Sequence, residues 1–188
     1  MSESPPGQSK LTREQSLAAL EALNRALAER EVIGEVCLFG GAVMVLAFNA
    51  RLSTKDVDAV FQPAALVREL ARQVGENAGL PANWLNDGVK GYLSARHEVV
   101  RGSLPQFDHL RLTMPTAEYL LAMKCLASRI GAGGGEADDT ADIAFLIRHL
   151  GLRSPEAVMD IVSAYYPPQQ IPVKAQFLVE SLFEEGRV

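Results

Sequence analysis

Apolar residues recur along this chain in two rhythms, and the place where one gives way to the other divides it. Leu17, Leu20, Leu23 and Leu27 fall at helical spacing behind Thr12 and Gln15, which form a capping box. That pattern predicts a first helix over roughly residues 13–30. After Gly34 the rhythm changes: the run Val36-Cys37-Leu38-Phe39 reads as a buried strand over 36–39. Gly40-Gly41 follows, and the apolar stretch 41–48 predicts a short helix before Asn49-Ala50-Arg51 turns the chain back. A second strand is expected over 56–61, and Pro63 opens a helix over about 64–77 that ends before Gly79. Residues 81–88 are turn-rich. Residues 97–101 and 107–114 have strand character, and in the latter His109, Leu110, Arg111, Leu112 and Thr113 alternate.

From Pro115 the pattern is helical throughout. Pro115 fits the first position of a helix reaching Ser128 or Arg129, and the glycine-rich break 131–135 precedes another over about 139–149. Ser154-Pro155 starts a third, ending at Pro167-Pro168, and residues 174–185 form the last. The predicted class is therefore α+β: a disordered tail over 1–10, a core with a small mixed twisted sheet flanked by helices over 11–114, and an all-helical part over 115–188 packed on it.

Composition narrows the function classes more than the fold. At 188 residues, with 48% hydrophobic and 22% charged residues, the chain has an ordinary globular balance and enough length for a well-buried core. A net charge of −5 argues against a surface coated in basic residues for duplex nucleic acid, although a local basic cleft remains compatible with it. No apolar run reaches the roughly 18–20 residues that span a membrane, and the N-terminus lacks a charged-then-apolar signal, so a cytoplasmic protein is expected. Cys37 and Cys125 lie in apolar runs without metal-ligand spacing and read as buried, reduced residues. His97, His109 and His149 show no zinc-type spacing. The glycine run 131–135 lacks a following Lys-Ser/Thr and reads as a hinge, no serine sits in a Gly-x-Ser-x-Gly elbow, and Trp84 reads as a core or lid anchor.

The chemistry concentrates at Gly40-Gly41 and at Asp56-Val57-Asp58. Two aspartates two apart on a strand project from one face, and their oxygens repel unless a cation lies between them. That makes Asp56 and Asp58 a candidate Mg²⁺ site, and the glycine turn opening a helix a candidate phosphate site.

An apolar strand, Gly-Gly, a short helix and then Asp-x-Asp on the next strand resemble the DNA polymerase β-like nucleotidyltransferase superfamily. Within it the chain looks most like the small bacterial proteins of abortive-infection and type IV toxin–antitoxin systems. These carry an Arg shortly before the acids, here Arg51, with Thr54 and Lys55 beside them. A Lys followed by Ala and Arg in the family's later helix looks like Lys124, Ala127 and Arg129, and its Asp-x-x-Asp helix looks like Asp139-Thr140-Ala141-Asp142. The stretch Trp84–Lys90 also resembles relatives, so the likeness covers roughly residues 36–150. It implies transfer of a nucleotide from a nucleoside triphosphate, with Mg²⁺ on Asp56 and Asp58, phosphates at Gly40 and Gly41, and charge neutralised by Arg51, Lys55 or Lys124. The acceptor implied is RNA, above all a tRNA end, with a protein or small-molecule hydroxyl as the other class and an antitoxin as partner.

Helix geometry leaves some roles open. Lys124 shares a face with Ala117, Leu121 and Ser128, at the edge of an apolar stripe that suits a snorkelling lysine as well as a phosphate ligand. Asp139 and Asp142 fall on or beside the stripe of Ile143, Leu146, Ile147 and Leu150. They are expected to pair with Arg129 or Arg51 in a structural salt bridge shaping the pocket, with an N-terminal cap as the alternative for Asp139.

The sequence departs from the family pattern in three places. A third catalytic carboxylate belongs on the strand 107–114, where Asp108 is the only acid. Ala42 after Gly41 supplies no hydroxyl to the phosphate turn, and Asp138 stands where relatives often have a basic residue. If the third acid is lacking, a non-catalytic nucleotide- or partner-binding module on the same fold is the competing expectation.

Overall fold

The computed structural model describes residues 10–128 and 136–188, and these form two compact units. The first comprises residues up to Lys90 together with Val100–Met114; the second comprises Gly91–Val99 and Pro115–Val188. The sequence pattern placed 91–99 with the preceding residues, whereas its contacts lie with the later helices.

In the first unit, β1 (Leu11–Thr12) leads directly into α1 (Arg13–Glu29). Thr12 caps α1: its hydroxyl accepts from the Gln15 N–H at 3.2 Å while the Gln15 side chain accepts from the Thr12 N–H at 2.9 Å. Next come β2 (Gly34–Leu38), α2 (Gly40–Leu46), β3 (Ser53–Thr54), β4 (Val57–Gln62), α3 (Ala64–Ala78) and β5 (Leu85–Asn86). A 3₁₀ turn over Gly88–Tyr92 follows, then β6 (Val99–Val100) and β7 (Leu110–Pro115). The main sheet has the order β5-β4-β2-β7-β6, and β1 pairs with β3 in a separate two-stranded ribbon. The main sheet is mixed: β2 runs antiparallel to β4 and parallel to β7, and β4 runs parallel to β5.

The period-2 pattern sorts the sheet into two unlike faces. Val36, Leu38, Val57, Ala59, Phe61, Leu110 and Leu112 are buried on one side. Leu20, Leu23 and Leu27 of α1 and Val67, Leu70 and Ala71 of α3 complete that core, and α1 and α3 pack on each other. The other face carries Glu35, Cys37, Asp58, Val60, Gln62, Arg111 and Thr113, all half-buried or exposed. Short α2 is buried from Ala42 to Leu46, so its apolar surface identifies a core helix rather than an amphipathic one. Its terminal carbonyls are satisfied by Arg13, whose guanidinium donates to Val45 O at 2.6 Å and Leu46 O at 2.9 Å. A cation at a helix C-terminus also suits the macrodipole.

The second unit contains α4 (Ala117–Ala127), α5 (Glu136–His149), α6 (Pro155–Tyr165) and α7 (Val173–Glu184). Polar ties hold segment 91–99 to these helices, two of them through tyrosine hydroxyls of α4 and α6. The Ser94 N–H donates to the Tyr119 hydroxyl at 2.9 Å, and the Tyr165 hydroxyl donates to Glu98 Oε2 at 2.5 Å. Tyr119 and Tyr165 stack with centroids 5.0 Å apart, and the Arg96 guanidinium lies 5.1 Å from the Tyr165 ring centroid.

The α+β class and the mixed sheet expected from the sequence are present. Pro115 does not begin a helix; it ends β7, and Thr116 is the N-cap of α4, accepting from the Tyr119 N–H at 3.3 Å. The glycine run 131–135 and the tail through residue 9 lie outside the described residues. Among the described residues, no helix is long and apolar enough to cross a membrane.

Candidate active site

The acids meet the glycine turn because β2 and β4 pair side by side. β2 ends at Leu38, which lies opposite Ala59, and the Phe39 N–H donates to Asp58 O at 2.8 Å. The pairing brings the residue after Phe39 against the Asp58 side chain. Gly40 has φ +58°, a left-handed conformation that glycine adopts without strain. A Cβ there would lie 2.9 Å from Asp58 Oδ2. At Gly41 a Cβ would lie 2.5 Å from Thr54 Oγ1 and 3.3 Å from Arg51 Nη1. A side chain at either position would displace these groups, and Asp58, Thr54 and Arg51 all stand against the turn.

Asp56, just before β4, is half-buried and held from two directions. The Thr54 hydroxyl donates to its carbonyl at 2.9 Å, and the Asn86 amide donates to Asp56 Oδ2 at 3.2 Å. Asn86 lies on β5 in register with Asp58, so it stands on the same face of the sheet. Asn86 Oδ1 in turn accepts from the Gly88 N–H at 3.0 Å, which fixes which end of the amide faces Asp56. Burial raises the Asp56 carboxyl above its ordinary value; Lys55 and the Asn86 hydrogen bond act in the opposite direction but do not cancel it. A cation at this carboxylate would offset that desolvation.

Asn86 lies in the stretch Trp84–Lys90 that resembles relatives, but the sequence gives it no role in the site. It lies in a two-residue strand inside a turn-rich segment, too short to produce any alternation. Its position depends on its neighbours: Trp84 is fully buried and its indole N–H donates to Ala71 O of α3 at 2.7 Å, while Asp87 takes Arg68 of α3 at 2.8 Å and Lys90 at 2.6 Å. Trp84 is a core anchor, and its ring fills the space where a Cβ on Gly75 would lie, 2.9 Å from Trp84 Cδ1.

The proposed third acid is a correction. β7 runs parallel to β2 with Gly34 opposite Leu110 and Cys37 opposite Thr113, so its site end is its C-terminal end. Asp108 precedes the strand at the opposite end, about 16 Å back from Thr113 if the chain is extended. It is also exposed. On the face that carries Asp58, β7 supplies Arg111 and Thr113 and no carboxylate. Thr113 meets Cys37, whose thiol burial pushes up to about 11, and complete burial pushes Cys125 up to about 12. Burial therefore favours the protonated thiol at both positions near neutral pH.

Lys124, which the sequence reads either as a snorkelling side chain or as a phosphate ligand, is ion-paired. In the second unit, its ammonium lies 2.7 Å from Asp142 Oδ2 and 3.0 Å from Asp139 Oδ1. Lys124 is only 9% exposed and Asp142 only 1%, so this is a buried ion cluster tying α4 to α5. Lys124 is thus a cation partner of Asp139 and Asp142, which were expected to pair with Arg129 or Arg51. Arg129 lies outside the described residues, and nothing is described of the Asp138 side chain. Asp139 is not an N-cap, because α5 is already helical from Glu136.

The donor set fits Mg²⁺. That ion is usually held by one or two carboxylates with substrate phosphates and water completing its shell, and Asp56 and Asp58 are such a pair. Among the described residues, no group of three or more His, Cys, Asp or Glu side chains is placed to hold a metal by itself. Comparison of the chain with protein-family models, with curated proteins and with solved structures finds no match.

Proposed function

We propose that the protein is a cytoplasmic, Mg²⁺-dependent nucleotidyltransferase that moves a nucleotide from a nucleoside triphosphate to an acceptor hydroxyl. One observation carries this reading: the Asp58 carboxylate abuts a Gly-Gly turn that Arg51 and Thr54 also face, with Asp56 two residues away. In the reaction, the acceptor oxygen forms a bond to the α-phosphorus while the bond from that phosphorus to the α–β bridging oxygen breaks. Pyrophosphate leaves, and the acceptor proton passes to solvent. Bound Mg²⁺ would supply charge neutralisation on the phosphates and a lower pKa for the incoming hydroxyl. The chain's own part is positional. Asp56 and Asp58 hold the cation, the backbone N–H groups around Gly40 and Gly41 orient phosphate oxygens, and Arg51 and Lys55 balance negative charge. The resemblance to toxin relatives favours RNA, a tRNA end in particular, as acceptor and an antitoxin as partner.

A second reading has a specific observation behind it. With Asp108 at the far end of β7 and Thr113 at the site end, no β7 carboxylate activates the acceptor. A module that binds a nucleotide or a partner without catalysis would have this same geometry. The experiment that separates the two uses triphosphates labelled on the α-phosphate, incubated with the protein and total cellular RNA or protein. Label incorporated into RNA and abolished by a chelator is the expected result. Label incorporated into protein instead would reassign the acceptor. No transfer at all, alongside Mg²⁺-dependent triphosphate binding, would establish the non-catalytic reading.

A further inference from the structure

We propose that Asn86 is a positioning residue of the candidate cation site, holding the Asp56 carboxylate in place for a divalent ion. The inference rests on the site reading given above and assigns a role to a residue outside the Gly-Gly and Asp-x-Asp pattern. Three observations support it. Asn86 is the cross-strand neighbour of Asp58, so its side chain stands on the face of the acids. Its amide N–H reaches Asp56 Oδ2 at 3.2 Å, bridging from one acid's strand partner to the other acid. Its carbonyl oxygen is occupied by the Gly88 N–H at 3.0 Å, so the side chain cannot flip without losing both bonds.

The residues around Asn86 are built to keep it there. β5 is a two-residue edge strand, which on its own would be weakly fixed. Trp84 on one side of it and Asp87 on the other are both tied to α3, through Ala71 O and Arg68. The Val57 N–H donates to Trp84 O at 2.6 Å, closing the strand onto β4 next to Asp56. A ligating carboxylate that is itself hydrogen-bonded has its orientation set before the ion arrives. Removing such a partner commonly costs 10–100-fold in metal affinity. Leucine in place of Asn86 would keep the side-chain shape and remove the donor to Asp56.

The test is Mn²⁺ binding by the full chain at a fixed concentration of a non-hydrolysable nucleoside triphosphate. Free Mn²⁺ is followed by its paramagnetic resonance signal, and melting curves are recorded alongside. Asn86→Ala is expected to weaken Mn²⁺ binding about tenfold or more. Asn86→Leu, which keeps the side-chain shape without the donor, is expected to weaken it to a similar extent, and it decides the matter if the alanine variant does not fold. Wild-type Mn²⁺ affinity in both variants would overturn the inference and leave the site reading standing, as would a lowered melting temperature with unchanged affinity. Absence of Mn²⁺ binding by the wild-type protein would overturn the site reading, and the inference with it.

Discussion

Replacing Lys124 by methionine is expected to destabilise the protein by about 3–5 kcal/mol, measured as a lowered urea midpoint. Methionine preserves most of the side-chain stem, so little packing is lost. What is lost is the ammonium 2.7 Å from Asp142, a carboxylate only 1% exposed. A buried anion has no water to turn to, so losing this ammonium takes away much of the compensation for its desolvation. Asp139 is less affected, because its side chain is 34% exposed and can be hydrated. The same reasoning predicts a partial rescue. Lys124→Met combined with Asp142→Leu removes both charges, and an apolar pair of similar volume is often as stable as the ion pair it replaces. The double variant should therefore recover most of the loss. A single-variant effect below about 1 kcal/mol, the size of an exposed ion pair, would contradict the description of this cluster as buried and coupled.

The second large effect is expected in activity rather than stability. Asp58→Ala should lower nucleotide transfer roughly 10³-fold, which corresponds to several kcal/mol of metal-dependent charge stabilisation. Asp58 stands against the glycine turn and is half-buried on the face of the sheet opposite α1 and α3, so truncation should leave the core between the sheet and these helices intact. Unchanged melting with transfer lost would separate a ligand role from a packing role. Lys55→Ala is the contrast, since Lys55 is exposed and solvent screens the charge it contributes beside the acids. A loss of twofold or so is expected there. Equal losses in the two variants would indicate that the region responds to any charge change, and that Asp58 has no special place.

The legible parts of this protein were those written in repeating patterns. The helical leucines of α1, the apolar run of β2 and the alternation across β7 specify their elements, because burial of one face enforces the period. Asp56, Asp58, Gly40 and Gly41 were identifiable because the pattern places them at a strand end and a tight turn, and the pairing of β2 with β4 brings them together. Two-residue strands carry no period, so β5 was hidden and Asn86 with it. Asp108 was misplaced for a different reason. Its face could be inferred from alternation, but the end of the strand at which the site lies depends on β7 being parallel to β2, which sequence periodicity does not encode. Lys124 shows the same limit for tertiary contacts: its spacing suited a snorkelling side chain or a phosphate ligand, and only the packing of α4 on α5 identifies its partners.

Calorimetric titration of the wild-type protein with each nucleoside triphosphate, in Mg²⁺ and again in chelator, tests the central claim most directly. The account predicts binding that requires Mg²⁺ and that is lost from Asp58→Ala. Absence of triphosphate binding by the wild type, or binding indifferent to both Mg²⁺ and Asp58, would contradict it.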